Sequence, residues 1–386
     1  KNLRERSQSQ YRAAVAARVS MALNSPAPFA ERLVHFWANH FAVSIDKQPL
    51  ATLAGAFEAE AIRPHIFGKF EDMLLAVERH PAMLVYLDQA RSIGPESMAG
   101  QRAARNKPDG KRGLNENLAR EILELHTLGV RTGYTQEDVT ELARALTGWT
   151  LGGVAGYPGH IVGAAPGAFA FQPVLHEPGV RAVVGRRYDQ RGEAEAAAIL
   201  HDLATAPATA QHIATKLSRH FAGDTPPPAM VTRLSTAFER SGGDLPTVYR
   251  ALIDSPEEGG LNAQPKFKTP WEWSVSAMRG LGWRDTGRMQ PGAVLTQLGQ
   301  TVWRPESPAG YDDSAASWMA PDALLRRVEV AQRIAMETAG TLDARTLAPQ
   351  LLPAGVSEST TTAIARAESP VTALALLLAS PEFLRR

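Results

Sequence analysis

The densest run of chemistry-bearing residues is Asn115-Glu116-Asn117-Leu118-Ala119-Arg120-Glu121-Ile122-Leu123-Glu124-Leu125-His126. Carboxylates beside an arginine and a histidine are the ingredients of general acid–base catalysis. On that reading Glu121 or Glu124 is the acid or base, His126 is its partner, and Arg120 steadies an anion. The same residues also suit a purely structural role. On a helix Glu116, Arg120 and Glu124 recur at four-residue steps with alternating sign, so neighbours ion-pair. Leu118, Ile122 and Leu125 share an apolar face. Buried charges are tolerated when paired and need do no chemistry.

Other candidates lie outside this run. In Leu33-Val34-His35-Phe36-Trp37-Ala38-Asn39-His40-Phe41, His35 and Asn39 lie four apart on one face, and Phe36 and His40 on the next. Two histidines and an asparagine among aromatics suggest a buried polar network. His176-Glu177-Pro178-Gly179 falls in a glycine-rich stretch where a histidine and an acid can face a substrate or simply form a turn. Asn117, His35, Asn39, His176 and Trp149 are the candidate substrate contacts.

A metal site needs converging ligands, which helices supply at i,i+3 or i,i+4. Glu124 and His126, two apart, stand about 200° around a straight helix; Glu121 and His126, five apart, stand about 140°. His35 and His40 are also five apart. A divalent metal, the one candidate cofactor, would therefore draw ligands from separate elements, with His40, His126 and His176 as candidates. For each lone histidine, a hydrogen-bonded structural role is the default. No Gly-Lys-Ser/Thr or Gly-x-Gly-x-x-Gly follows a clear strand, and there is no Gly-x-Ser-x-Gly elbow.

The elements that must position these residues are helices. Apolar residues at helical spacing predict helices over 12–23, 29–42, 56–67 and 70–87, the last interrupted at Pro81. Residues 115–128 form the strongest helix, with Gly129 as its C-cap. Thr135 and Asp138 resemble a capping box opening a helix to Leu146. Further helices follow over 209–221, 228–241, 245–253, 270–281, 322–338 and 370–379. Gly94–Gly113 reads as a polar loop. Thr150–Tyr188, with β-prone Phe169–Phe171 and Val180–Val184, reads as a long loop with one short hairpin. The fold class is all-α: one large multi-helix domain over 1–386 with long irregular loops. A finer division sets helical halves 1–150 and 190–386 either side of the Gly/Pro-rich segment 150–189.

Composition limits the partners. Lys plus Arg is 41 and Asp plus Glu is 40, so nothing global favours nucleic acid or anionic lipid. The one local basic excess is Arg102, Arg105, Lys107, Lys111 and Arg112, which a solvated loop explains. There is no cysteine, which excludes disulfides and thiol chemistry and is compatible with export. No apolar run approaches the ~18 residues of a membrane span. The chain starts at Lys1 rather than Met, which suggests that an N-terminal piece has been removed or left out.

Several segments together resemble a large bacterial family catalogued as domain of unknown function 1800. They are His35–Phe41, His80–Asp88, Asn115–Gly129, Gly133–Val139 and Ala143–Trp149, followed by His176–Gly179, Lys266–Pro270, Leu298–Gln300 and Ser380–Phe383. They run in order over nearly the whole chain. The last match, at the very end, suggests a natural C-terminus. Where the family leads us to expect Gly-Trp, this chain has Gly310-Tyr311. The resemblance implies a bacterial, exported protein, periplasmic or secreted, encoded beside a sulfatase-like protein that is a candidate partner. It implies no activity. Two functions stay open: a hydrolase-like enzyme with a Glu/His/Arg site, and a non-catalytic binding or assembly protein whose polar motifs are structural.

Overall fold

Proline fixes φ near the helical value and lacks the N–H that a first turn leaves unpaired, so it starts helices well. This chain uses it repeatedly: Pro28–His40, Pro81–Tyr86, Pro207–Ala222, Pro228–Ser241, Pro270–Gly280, Pro291–Gln297, Pro321–Glu337 and Pro370–Leu378 all carry proline in the first turn. The computed structural model describes residues 2–106, 113–153, 165–256, 265–287, 289–338 and 342–386. Lys107, Lys111 and Arg112 of the basic stretch lie outside them, as does 154–164 of the Gly/Pro-rich segment.

The fold is all-α. The described residues contain eighteen α-helices and two small antiparallel strand pairs. None of the helices is long and apolar enough to cross a membrane. The break at Pro81 is real: Phe70–Arg79 ends, and His80 Nδ1 accepts the Ala82 N–H to start the next helix. The Thr135–Asp138 capping box is also present.

Three local readings differ from the sequence expectation. Gly94–Gly113 is not wholly a loop, because Met98–Asn106 is helical; Ser97 Oγ accepts the Gly100 N–H and so serves as its cap. Two strand pairs form rather than one. Trp149–Leu151 pairs with Phe169–Phe171, and Arg181–Val183 pairs with Arg186–Tyr188. The second pair turns through Val184 and Gly185, both at positive φ, the backbone of a two-residue type I′ hairpin. Finally, two helices contain a π-turn: Glu58–Ile62 follows Leu50–Phe57, and Ile122–His126 follows Asn117–Glu121.

The apolar side chains form two clusters. The larger runs from Val15 to Trp303 and includes most helices up to Ile253. The smaller is built from Phe267 to Leu384. Trp283 packs against both. The first helix, Asn2–Asn24, lies against Leu50–Phe57 of the larger cluster and against Pro270–Gly280 and Pro291–Gln297. A cavity of about 1400 Å³ lies between the clusters.

Candidate functional site

The Asn115 run is fastened to the helix beside it. Asn115 Oδ1 accepts the Asn117 N–H and opens the helix. Glu116 accepts from Gln136 Nε2 (2.8 Å) and Thr140 Oγ1 (2.7 Å), while Arg120 donates to Gln136 Oε1 (2.9 Å) and pairs with Glu116 (3.3 Å). These contacts fasten the helix to its neighbour Gln136–Leu146. Asn117 is exposed, and Glu124 accepts a hydrogen bond from Tyr134.

On a straight α-helix Glu121 and His126 would stand about 140° apart. The Thr127 N–H bonds Ile122 O at 2.9 Å, an i→i+5 turn, which holds an extra residue and shifts the faces. His126 is electrostatically coupled to Glu121. Its ring nevertheless points into the core, where Nδ1 donates to Glu78 Oε1 at 2.7 Å and both side chains are 0% exposed. Glu121 is half-buried. Burial raises its carboxyl above the usual value, and Glu124 and Glu78 add to that against His126 and Arg120.

Two histidines finish the π-turn. His40 Nε2 donates to His126 O, and His212 Nε2 donates to Leu125 O, both at 3.1 Å. Carbonyls at a helix end otherwise lack partners. Burial holds His40 well below the ordinary imidazole value and His212 at about 4, helped in each case by Lys216. Gly129, at φ +96°, lets this joint close: a Cβ there would stand 2.9 Å from His212 Nδ1.

His176 and Trp149 belong to a different cluster. His176 Nδ1 donates to Thr147 O (2.8 Å), and Nε2 faces Glu195 at 3.6 Å. Trp149 is fully buried under the Arg79 guanidinium. The three histidines put forward as metal ligands therefore do not share one site. Among the described residues, no three His, Asp or Glu side chains are grouped to hold a metal ion.

The cavity gathers a different set. From helix Pro28–His40 it takes Arg32, His35, Phe36 and Asn39. From helix Pro207–Ala222 it takes His212, Lys216, Arg219 and His220, at i, i+4, i+7 and i+8. The N-terminus of helix Pro270–Gly280 adds Trp271 and Glu272, and a strap over 300–313 adds Tyr311 and Asp313. Of the candidate substrate contacts, His35 and Asn39 line it. His35 stands edge-on to Trp271 at 4.4 Å, and its Nε2 has no hydrogen-bond partner among the described residues. Burial, then Arg18, Arg63 and His220, keep it far below the ordinary imidazole value. Asn39 is committed to structure: its amide donates to Tyr311 O and accepts the Tyr311 N–H, both at 2.8 Å, pinning the strap. Gly310 permits this approach, since a Cβ there would lie 2.3 Å from Asn39 O.

The electrostatics of the wall are one-sided. Every acid is already engaged. Glu31 pairs with Arg63 (2.7 Å), Glu272 with Arg386 (3.0 Å), and Asp313 with His220 (2.9 Å) and Lys266 (3.1 Å). Asp312 accepts from Ser314 and Ser317, and Glu382 from Ser357 and Thr360. Burial alone would raise Asp313, but His220 and Lys266 hold it well below the usual carboxylate range. In the same way Arg386, His220 and Arg32 outweigh burial at Glu272. The cations are not all engaged. Arg32 stacks over Phe221 at 4.6 Å, but its Nε and one terminal nitrogen are buried without a hydrogen bond. Burial lowers it to about 10. Among the described residues, the side chains of Lys216 and of Arg219 at the rim have no hydrogen-bond or ion-pair partner.

Sequence reasoning missed Arg32, Lys216, Arg219, His220, Glu272 and Asp313. One signal was there: His212, Lys216 and His220 form a four-residue stripe. Comparisons with curated proteins and with solved structures found no match. A family model described as "Protein of unknown function (DUF1800)" matches residues 1–385, and the chain belongs to that family.

Proposed function

We propose that this protein binds a small organic anion in the cavity between its two helical clusters. One observation carries the reading: each acid of the wall is engaged within the protein, while among the described residues the side chains of Arg32, Lys216 and Arg219 form no ion pair. Desolvating Arg32 and Lys216 without an ion pair is costly, and an anionic ligand would relieve that cost, with Arg219 exposed at the rim. His35 and His220 face the same space and add proton-transfer capacity. Thermal-shift assays with oxalate, citrate, phosphate and sulfate, at matched ionic strength against chloride, test this. A ligand at a hundred times its Kd adds about 2.7 kcal/mol. Arg32→Met and Lys216→Met should each abolish the gain. Equal shifts for all anions, unchanged in both variants, would refute specific binding.

A second reading keeps a hydrolase-like enzyme with Glu121 as general acid. It is favoured by the half-buried carboxyl that its surroundings raise. The family resemblance adds an exported, periplasmic or secreted setting and a sulfatase-like partner encoded nearby. The cysteine-free chain is compatible with both.

A further inference from the structure

Three lysines lie at or beside this wall, and two are spoken for. Lys266 Nζ donates to the carbonyls of Arg219 and Asp313 and pairs with Asp313 and Asp224. Lys268 Nζ donates to Phe383 O at 2.8 Å and lies over the Phe383 ring. Lys216 opens to the cavity with no partner among the described residues. It shares a helix face with His212 and His220, four residues to either side. Burial depresses its ammonium to about 8; Asp313 opposes this and Arg219 assists it. An amine that is desolvated and set beside another cation is an activated nucleophile.

We infer that Lys216 forms a reversible imine with an oxo acid, an anion carrying an aldehyde or ketone next to its carboxylate. This rests on the anion-binding reading, with Arg32 and Arg219 taking the carboxylate. The neutral amine attacks the carbonyl carbon, a C–N bond forms, and the carbonyl π pair moves to oxygen. One proton passes from nitrogen to that oxygen. The carbinolamine then takes up a second proton and expels water as the nitrogen lone pair closes the C=N bond. The resulting iminium returns that proton to give the neutral imine. His220, held by Asp313 at 2.9 Å, is on the same helix face as a proton carrier. The step is a condensation with no change of oxidation state.

The test treats the full chain with limiting glyoxylate and cyanoborohydride, which reduces an imine to carboxymethyl-lysine, and maps the product by peptide mass spectrometry. The exposed Lys69 is the internal reference. A larger neutral fraction, offset by lower intrinsic nucleophilicity, predicts labelling at Lys216 about tenfold above Lys69. Oxalate, which has no electrophilic aldehyde or ketone, should compete, and calorimetry should show it binding. Lys216→Arg should remove the label while keeping the charge. Because the ratio is read within the parent protein, it holds even if that variant fails to fold. Equal labelling with oxalate bound would overturn the imine and leave the anion site standing. Equal labelling without oxalate binding would overturn both. Preferred labelling that oxalate does not affect would show a reactive amine without an anion site, and so overturn the oxo acid.

Discussion

Removing His126 should cost stability and leave the cavity intact. His126 and Glu78 are both 0% exposed and bonded at 2.7 Å, and the second oxygen of Glu78 has no other partner. His126→Leu therefore strands a buried carboxylate. Breaking such a pair from one side costs about 3–5 kcal/mol. At ~2.1 cal/mol/K per residue, a chain of 386 residues has an unfolding entropy of about 0.8 kcal/mol/K, so Tm should fall by about 4–6 °C. Glu78→Leu should cost a similar amount. The double variant should be less damaged than the sum of the two by at least ~2 kcal/mol, because no buried polar group is then left alone. Far-UV circular dichroism melts measure all three. A purely stabilising role for this pair is excluded if either single variant melts within a degree or so of the parent, if the penalties simply add, or if His126→Leu stays stable but loses anion binding.

Asn39→Ala should free the strap, since it leaves the Tyr311 N–H and C=O unpaired at about 1–3 kcal/mol; faster hydrogen exchange over 301–313 would register it. Glu195 is pushed up to about 7 by burial, from an ordinary 4.5. Between those values the native state holds more protons than the unfolded chain. Stability should therefore fall as pH rises from about 4.5 to about 7, by up to roughly 3 kcal/mol. In Glu195→Gln, urea denaturation across that range should show a flatter profile. Val184 sits at φ +50° in a two-residue hairpin, so Val184→Asn should raise stability by about 0.5–1 kcal/mol in the same assay.

Most of the helices, the Thr135 capping box and the break before Pro81 were legible because each follows from local chemistry, whereas Met98–Asn106, Pro291–Gln297, Ala344–Leu351 and Glu358–Ala365 were not. The π-turn at Ile122–His126 was not. One extra residue in a turn leaves no mark on side-chain spacing, and its stability comes from His40 and His212, distant in sequence. The ion stripe of Glu116 and Arg120 was correctly visible, but whether it faced a substrate or a neighbouring helix depended on Gln136 and Thr140. The cavity was the least legible feature. Its walls come from segments as far apart as Arg32, Lys216, Glu272 and Arg386. Each side chain is unremarkable alone. What matters is which charges end up paired, and only the folded chain decides that. Composition hid it as well, since a near-zero net charge says nothing of a local surplus of cations.

Whether the cavity holds an anion can be seen in a crystal of the protein soaked in selenate, with the selenium located by anomalous scattering. An anion site should give a peak inside the cavity, within hydrogen-bond reach of Arg32 and Lys216, that oxalate displaces. Selenate found only on the outer surface, with the cavity free of it at saturating concentration, would rule that site out.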